Sequence, residues 1–113
     1  MMMARLNYLE LPVGEVPGLK AFYGQAFGWA FTDFGPSYAA TMTGDTDVGL
    51  DGDAQGRTQL LPVIAVDDLE ATLAAVEAAG GTVTVPIFAF PGGRRFHFRD
   101  PQGHELAAWV VED

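Results

Sequence analysis

The two halves of this chain carry the same succession of patterns, 53 residues out of step. Setting Val13-Gly14-Glu15-Val16 over Val66-Asp67-Asp68-Leu69 brings Gly28 over Gly81, and self-similarity at one fixed offset is the mark of an internal duplication. In the first half, Leu6, Tyr8 and Glu10 alternate with Asn7, Leu9 and Leu11, the period of a strand whose two faces meet different surroundings. Leu19, Phe22, Tyr23, Ala26 and Phe27 then fall at helical spacing, with Pro17 tolerated in the first turn and Gly28 as the stop. Short strands follow at roughly 29 to 34, 37 to 43 and 47 to 51, punctuated by Gly35-Pro36 and Gly44-Asp45.

The second half repeats this order. A strand over Gln59 to Val66 leads to Asp67-Asp68-Leu69-Glu70, which reads as an Asp N-cap with Glu three residues later. Leu69, Leu73 and Val76 mark the apolar stripe, Gly80-Gly81 ends the helix, and strands are expected at roughly 82 to 88, 94 to 99 and 104 to 111. The fold class is therefore α+β, two tandem βαβββ modules over about 5–52 and 58–112 of one domain spanning 1–113, joined by the Gly-rich linker Asp51-Gly52-Asp53-Ala54-Gln55-Gly56-Arg57.

Bulk properties exclude several functions. At 113 residues, 49% of them hydrophobic, the chain has enough apolar material for one core and too little length for two large independent domains. With 15 acidic against 6 basic side chains the formal charge is -9, which repels phosphate backbones and anionic lipids, so neither nucleic acid nor membrane is an expected partner. The chain has no cysteine, which removes disulfides, thiolate metal sites and cysteine nucleophiles. Met1-Met2-Met3-Ala4-Arg5 lacks the basic-then-apolar order of a secretion signal, and the expectation is a cytoplasmic protein.

Two segments carry a family resemblance. Ala21-Phe22-Tyr23-Gly24-Gln25-Ala26-Phe27-Gly28-Trp29 is similar to the first-helix "FY…vFGW" signature of the glyoxalase/bleomycin-resistance/extradiol-dioxygenase proteins, also called vicinal oxygen chelate proteins. Phe98-Arg99-Asp100-Pro101-Gln102-Gly103-His104 resembles their "f-x-DP-x-G" turn before the last strand. The resemblance implies two half-barrels of curled mixed sheet around a cleft, a core position for Trp29, a small-molecule ligand and a homodimer; within-chain and swapped pairing of the modules stay open. It also implies metal ligands on the first and fourth strand of each module, positions that fall here on Tyr8, Gly49 or Leu50, Leu61 and Ala107. Glycine and aliphatic side chains cannot ligate a metal, and a divalent ion needs three or four converging N or O donors. No metal ligand and no cofactor are therefore assigned, although a divalent metal held by displaced donors such as Glu10, His97 and Glu105 stays open.

Strand alternation then supplies a lining for the implied cleft: Tyr8 and Glu10 from the first strand, Leu61 and Val63 from the fifth, Glu105, Ala107 and Trp109 from the eighth. Phe96 and Phe98 suit the helix side of the seventh strand, which sends His97 and Arg95 the other way. Glu10 and His97 form an acid/base pair or are merely a solvated carboxylate and a hydrogen-bonded edge histidine; Tyr8 and Trp109 stack on a ligand or only fill space. Phe88-Ala89-Phe90-Pro91-Gly92-Gly93-Arg94 reads as a mobile lid or as a hairpin loop buried in a dimer. Three functions fit: a metal-independent protein that sequesters an apolar or aromatic compound, which is the leading expectation; a metal-dependent or acid/base lyase, isomerase or dioxygenase; and a dimeric module with a vestigial cleft. Catalytic residues are not assigned.

Overall fold

The computed structural model describes residues 4–112, so the Met1-Met2-Met3 part of the secretion-signal reading lies outside the described residues. In chain order the elements are β1 (Arg5–Pro12), α1 (Val16–Phe27), β2 (Phe31–Asp33), β3 (Tyr38–Thr41), β4 (Asp47–Asp51), β5 (Leu61–Ala65), α2 (Leu69–Ala78), β6 (Thr82–Phe90), β7 (Gly93–Arg99) and β8 (Glu105–Val111). This is βαβββ twice, an α+β fold. Two compact units result: one is Tyr8–Leu61, and the other runs from Pro62 to the C-terminus and includes the start of β1 through Asn7. In the first unit the strand order is β2-β3-β4-β1, in the second β5-β8-β7-β6. β1 pairs with β4 and β5 with β8 in parallel, and the remaining pairs are antiparallel.

Both helices begin on a carboxylate. Glu15 accepts the Gly18 backbone N–H at 2.9 Å with each of its oxygens, and Gly28 ends α1 in the left-handed region, its N–H donating to the Gly24 carbonyl at 3.0 Å. The cap of α2 is Asp68, which accepts the Ala71 N–H at 3.0 Å. This corrects the expectation of a cap with Glu three residues on. With Asp68 as cap, Ala71 holds that third place, and Glu70 instead pairs with Arg94 at 2.5 Å. At the far end Gly80 donates to Glu77 at 3.2 Å and Gly81 to Val76 at 2.9 Å, the paired bonds of a Schellman stop, with Gly80 at φ 100.

In the C-terminal unit the core lies between α2 and one face of the strands. Val66, Leu69, Phe96 and Ala108 are buried there, with Leu73, Val76, Val83, Ile87, Phe98 and Val110 packed around them. The first helix is different. Only Val16 of α1 is buried, while Phe22 and Phe27 are 56% and 63% exposed. Trp29, expected in the core, is 39% exposed. The partners of α1 in its unit are β3 and β4, and the large rings of α1 stay outside the layer in which Ala39 and Leu50 are buried. The rings instead gather on one another: Tyr23 stacks on Trp29 at 5.2 Å, and Phe27 lies 5.6 Å from Trp29.

The segment from Phe88 to Arg94 is a tight β-hairpin rather than a seven-residue loop. β6 runs through Phe90, and only Pro91 and Gly92 turn the chain back into β7. The reason is pairing: Phe88 faces Arg95, Ala89 faces Arg94 and Phe90 faces Gly93 across a continuous ladder, and Gly93 is needed because a Cβ there would come within 2.1 Å of the Val110 carbonyl. The Asp100-Pro101-Gln102-Gly103 turn closes as the sequence predicts, Asp100 accepting the backbone N–H of Gln102 at 2.9 Å and of His104 at 3.0 Å, with Gly103 at φ 92.

Two outcomes follow. Phe96→Ala removes a fully buried ring and should cost about 3–5 kcal/mol in urea unfolding. The His104 backbone N–H, ahead of the His104 ring and the Gln102 N–H, holds the Asp100 carboxyl below the usual carboxylate range. A depressed carboxyl stabilises the fold above the ordinary value of about 4 and loses that contribution as pH falls through the folded value. Asp100→Asn should therefore lower Tm at neutral pH and give a shallower fall of Tm in acid than the parent.

Candidate functional site

Each unit turns one sheet face to its helix and carries polar side chains on the other. In the Tyr8–Leu61 unit, register aligns Glu10 with Gly49 and Gly49 with Ala40, while Tyr38 and Pro12 both align with Asp51. Tyr8, Glu10, Tyr38, Gly49 and Asp51 thus share a face, opposite the fully buried Leu50 and Ala39. On it the Tyr38 hydroxyl donates to Glu10 Oε2 at 2.8 Å, and the Tyr8 and Tyr38 hydroxyls are hydrogen-bonded to each other. Arg57 Nη2 donates to Asp51 Oδ2 at 2.7 Å and to Glu10 Oε1 at 3.3 Å.

Glu10 is only 2% exposed, and a buried charge persists only when paired and hydrogen-bonded. Arg57 supplies the charge and Tyr38 the hydrogen bond. Burial first, then the Glu10 charge and the neighbouring Tyr8, push the Tyr38 hydroxyl far above the ordinary phenol value, so it stays protonated. Gly49 makes room for the pair of phenols: a Cβ there would stand 2.0 Å from the Tyr8 hydroxyl oxygen and 2.3 Å from that of Tyr38.

In the C-terminal unit the face away from α2 carries a different set. Pairing aligns Val63 and His97 each with Ala107, Arg95 with Trp109, and Arg99 with Glu105. Val63, Ala107 and His97 are buried. His97 Nδ1 lies 3.8 Å from Glu105 Oε2, and Glu105 accepts the Thr84 hydroxyl at 2.9 Å. The Arg95 guanidinium carbon sits 5.3 Å from the Phe88 ring centre and 5.6 Å from that of Phe90. Phe90 in turn lies 6.2 Å from Trp109 and Phe88 5.8 Å from His97. Trp109 Nε1 donates to Asn7 Oδ1 at 3.2 Å.

The eight residues singled out from the sequence therefore fall into two groups. Tyr8 and Glu10 are joined through Tyr38, and Leu61, at the start of β5, is buried in the same unit. Val63, His97, Glu105, Ala107 and Trp109 share the face of the other. The acid/base pair read from the sequence takes Glu10 from one unit and His97 from the other, and within its own unit His97 stands next to Glu105. The sequence reading missed Tyr38, Arg57, Thr84 and Asn7. The signal for Thr84 was only parity; for Asn7, out of phase with Tyr8 and Glu10, and for Arg57, within a polar linker, there was none. It also missed an open, uncharged groove lined by Trp29, Phe31, Met42 and Val48.

A divalent metal does not suit the positions that the resemblance implied. Tyr8 is engaged with Tyr38, the space at Gly49 is taken by two phenols, and Leu61 and Ala107 are buried aliphatic side chains. One phenol among carbon side chains is no donor set for such an ion. Among the described residues no group of three or more His, Asp or Glu is placed to hold one.

Arg57→Ala leaves the Glu10 charge buried and should cost about 3 kcal/mol in urea unfolding. In a Glu10→Gln background the same substitution should cost markedly less, giving a coupling above about 0.5 kcal/mol in the double-mutant cycle; additive losses would contradict the pairing.

A model of the Glyoxalase/Bleomycin resistance protein/Dioxygenase superfamily matches residues 5–108. Among curated proteins, CFP32 of Mycobacterium bovis and of Mycobacterium tuberculosis, a glyoxylase by name, is 30% identical over 115 residues, covering 91% of this chain and 44% of that protein. The chain thus spans less than half the length of these relatives. Among solved structures, the Mn(II)-bound glyoxalase from Novosphingobium aromaticivorans is 24% identical with a TM-score of 0.70, over 96% of this chain and 40% of that one. Methylmalonyl-CoA epimerase from Mycobacterium tuberculosis is 13% identical with a TM-score of 0.74, over 96% and 89%. At such identities the likeness shows the fold.

Proposed function

The chain belongs to the glyoxalase/bleomycin resistance protein/dioxygenase superfamily, and on that premise we propose that it binds a small organic molecule with a flat apolar body, without a metal, on the β6–β7–β8 face turned away from α2. The observation that carries the reading is the aromatic wall of that face. Phe88, Phe90 and Trp109 stand in series with Arg95 against the two phenylalanine rings. Flat rings favour stacking on flat ligands, and the few polar groups beside them, His97 and Glu105, would fix orientation. Val63 and Ala107 form the floor. Within the Tyr8–Leu61 unit, Tyr8, Glu10 and Leu61 are proposed as ligand contacts of their own. The proposal extends to a homodimer, on the family resemblance alone, and to a cytoplasmic location, on the sequence expectation alone. No helix among the described residues is long and apolar enough to cross a membrane.

The His97–Glu105 contact favours a second reading, an acid/base lyase or isomerase in which His97 moves a proton while Glu105, held by Thr84, orients its ring. The two readings separate on His97→Gln, which would abolish turnover under the second and leave most ligand binding intact under the first.

The test is a thermal-shift screen of chelator-treated protein against bicyclic aromatic compounds of either charge. At least one compound should raise Tm, and Trp109→Ala should remove most of that rise. A stoichiometric transition metal in protein purified without chelator, with ligand stabilisation lost when it is stripped, would overturn the metal-free reading.

A further inference from the structure

The groove at the C-terminal end of α1 has a volume of about 500 Å³, enough for a small organic molecule, and no charged side chain in its lining. Register sets Phe31 beside Thr41, and the pairing of Ala40 with Gly49 brings Thr41 next to Val48, so these three share the groove. Trp29, stacked on Tyr23, lines it as well, its ring inclined at 62° to that of Phe31 with centres 6.5 Å apart. Three sources of negative potential meet there. The faces of aromatic rings are the negative side of their quadrupole, and an indole holds a cation better than any other side-chain ring. Gly28, which ends α1, lines the groove, so the negative end of the helix dipole lies beside it with no basic residue in the last turn. The third source is Asp47. Its Oδ1 accepts the hydroxyl of the groove residue Thr41 at 2.7 Å and the Thr43 N–H at 2.8 Å, and its Oδ2 accepts the Gly44 N–H at 3.1 Å. Burial works against this charge, but the Thr43 N–H, the Thr41 and Thr43 hydroxyls and the Gly44 N–H outweigh it and hold the carboxyl below the usual carboxylate range. Among the described residues no basic side chain pairs with Asp47. The basic side chains of its unit are bound elsewhere, Lys20 to Asp33 and Arg57 to Asp51, each at 2.7 Å.

We propose that this groove is a separate ligand site for an organic cation with a compact apolar body, a quaternary or tertiary ammonium, held by Trp29 and attracted by Asp47. Such a cation carries its charge under methyl groups, which suit Met42 and Val48 while the charge meets the indole. Asp47 acts from one hydrogen bond behind Thr41, through space and without touching the ligand. A primary ammonium is served less well, because it brings three N–H donors. The Thr41 hydroxyl is already committed to Asp47 and the Val48 N–H, and that of Thr43 to the Thr46 carbonyl and the Asp45 N–H. Anions are repelled, and a neutral molecule of the same outline gains nothing from the charge. The site lies wholly within the Tyr8–Leu61 unit, and it does not depend on the stacking face of Phe88, Phe90 and Trp109.

The test compares choline with 3,3-dimethylbutan-1-ol, its neutral isostere with carbon in place of nitrogen, on the full chain labelled with nitrogen-15 in its two indoles, Trp29 and Trp109. A Trp29→Phe variant assigns the two indole N–H signals. Choline should move the Trp29 signal and leave that of Trp109 in place, and the alcohol should need about tenfold more to produce the same shift. Asp47→Asn should weaken choline several-fold and leave the alcohol unchanged. Added salt should do the same to the unaltered chain, which reads the charge even where Asp47→Asn does not fold. Equal affinity for the two probes, no response of Trp29 to choline, or choline binding that neither salt nor Asp47→Asn weakens would each overturn the proposal. Movement of the Trp109 signal alone would overturn it too, while leaving the stacking face as the chain's ligand site, so the two readings fail separately.

Discussion

Helix α2 packs on one face of β6, β7 and β8, with Phe96 and Ala108 buried beneath it, and the period of two in β7 and β8 then decides which side each neighbouring residue takes. Once Phe96 and Phe98 are committed to the helix, Arg95 and His97 have no choice of side; once Ala108 and Val110 are committed, Ala107 and Trp109 follow. The chemistry of the exposed face is therefore a by-product of core packing. Moving any of its residues to a helix-facing position would place a charge or an indole nitrogen in an apolar layer at a cost of several kcal/mol. The same rule in the Tyr8–Leu61 unit puts Glu10 and Tyr38 opposite Leu50 and Ala39.

The two faces solve the burial of polar groups in different ways. Around Glu10 the solution is electrostatic and directional: one guanidinium ties two carboxylates, and two phenols extend the chain. Around Arg95 it is diffuse, the guanidinium lying against ring faces whose quadrupoles attract it without fixing its direction. The first arrangement fixes the direction of each contact, and the second does not.

Much of the fold was legible because its signals are local. The 53-residue offset, the glycines that end both helices and the Asp100 turn each depend on a few adjacent residues, and the structure uses them as read. The failures have a common physical origin in contacts distant in sequence. Phe22, Phe27 and Trp29 sit at core-like spacing, yet they are exposed and gather on Tyr23 and on one another. Phe88 to Phe90 read as a loop because Pro91-Gly92-Gly93 is turn-rich, but the ladder to β7 extends the strand up to the turn. Arg57 looked like linker, and nothing local reveals that it reaches back 47 residues to Glu10. The candidate site was legible in its parity and illegible in its partners.

Gly49 makes the history of such a site directional. A metal-binding side chain cannot be introduced at Gly49 while both phenols are in place, since even a methyl group would overlap their oxygens. Losing Tyr38 first removes the hydroxyl that hydrogen-bonds the buried Glu10, and losing Tyr8 removes the partner of that hydroxyl. A path toward a metal centre from this chain therefore crosses intermediates worse than either end, and a designer would have to replace Tyr8, Tyr38 and Gly49 together. The present arrangement is locked in by the volume of two oxygen atoms.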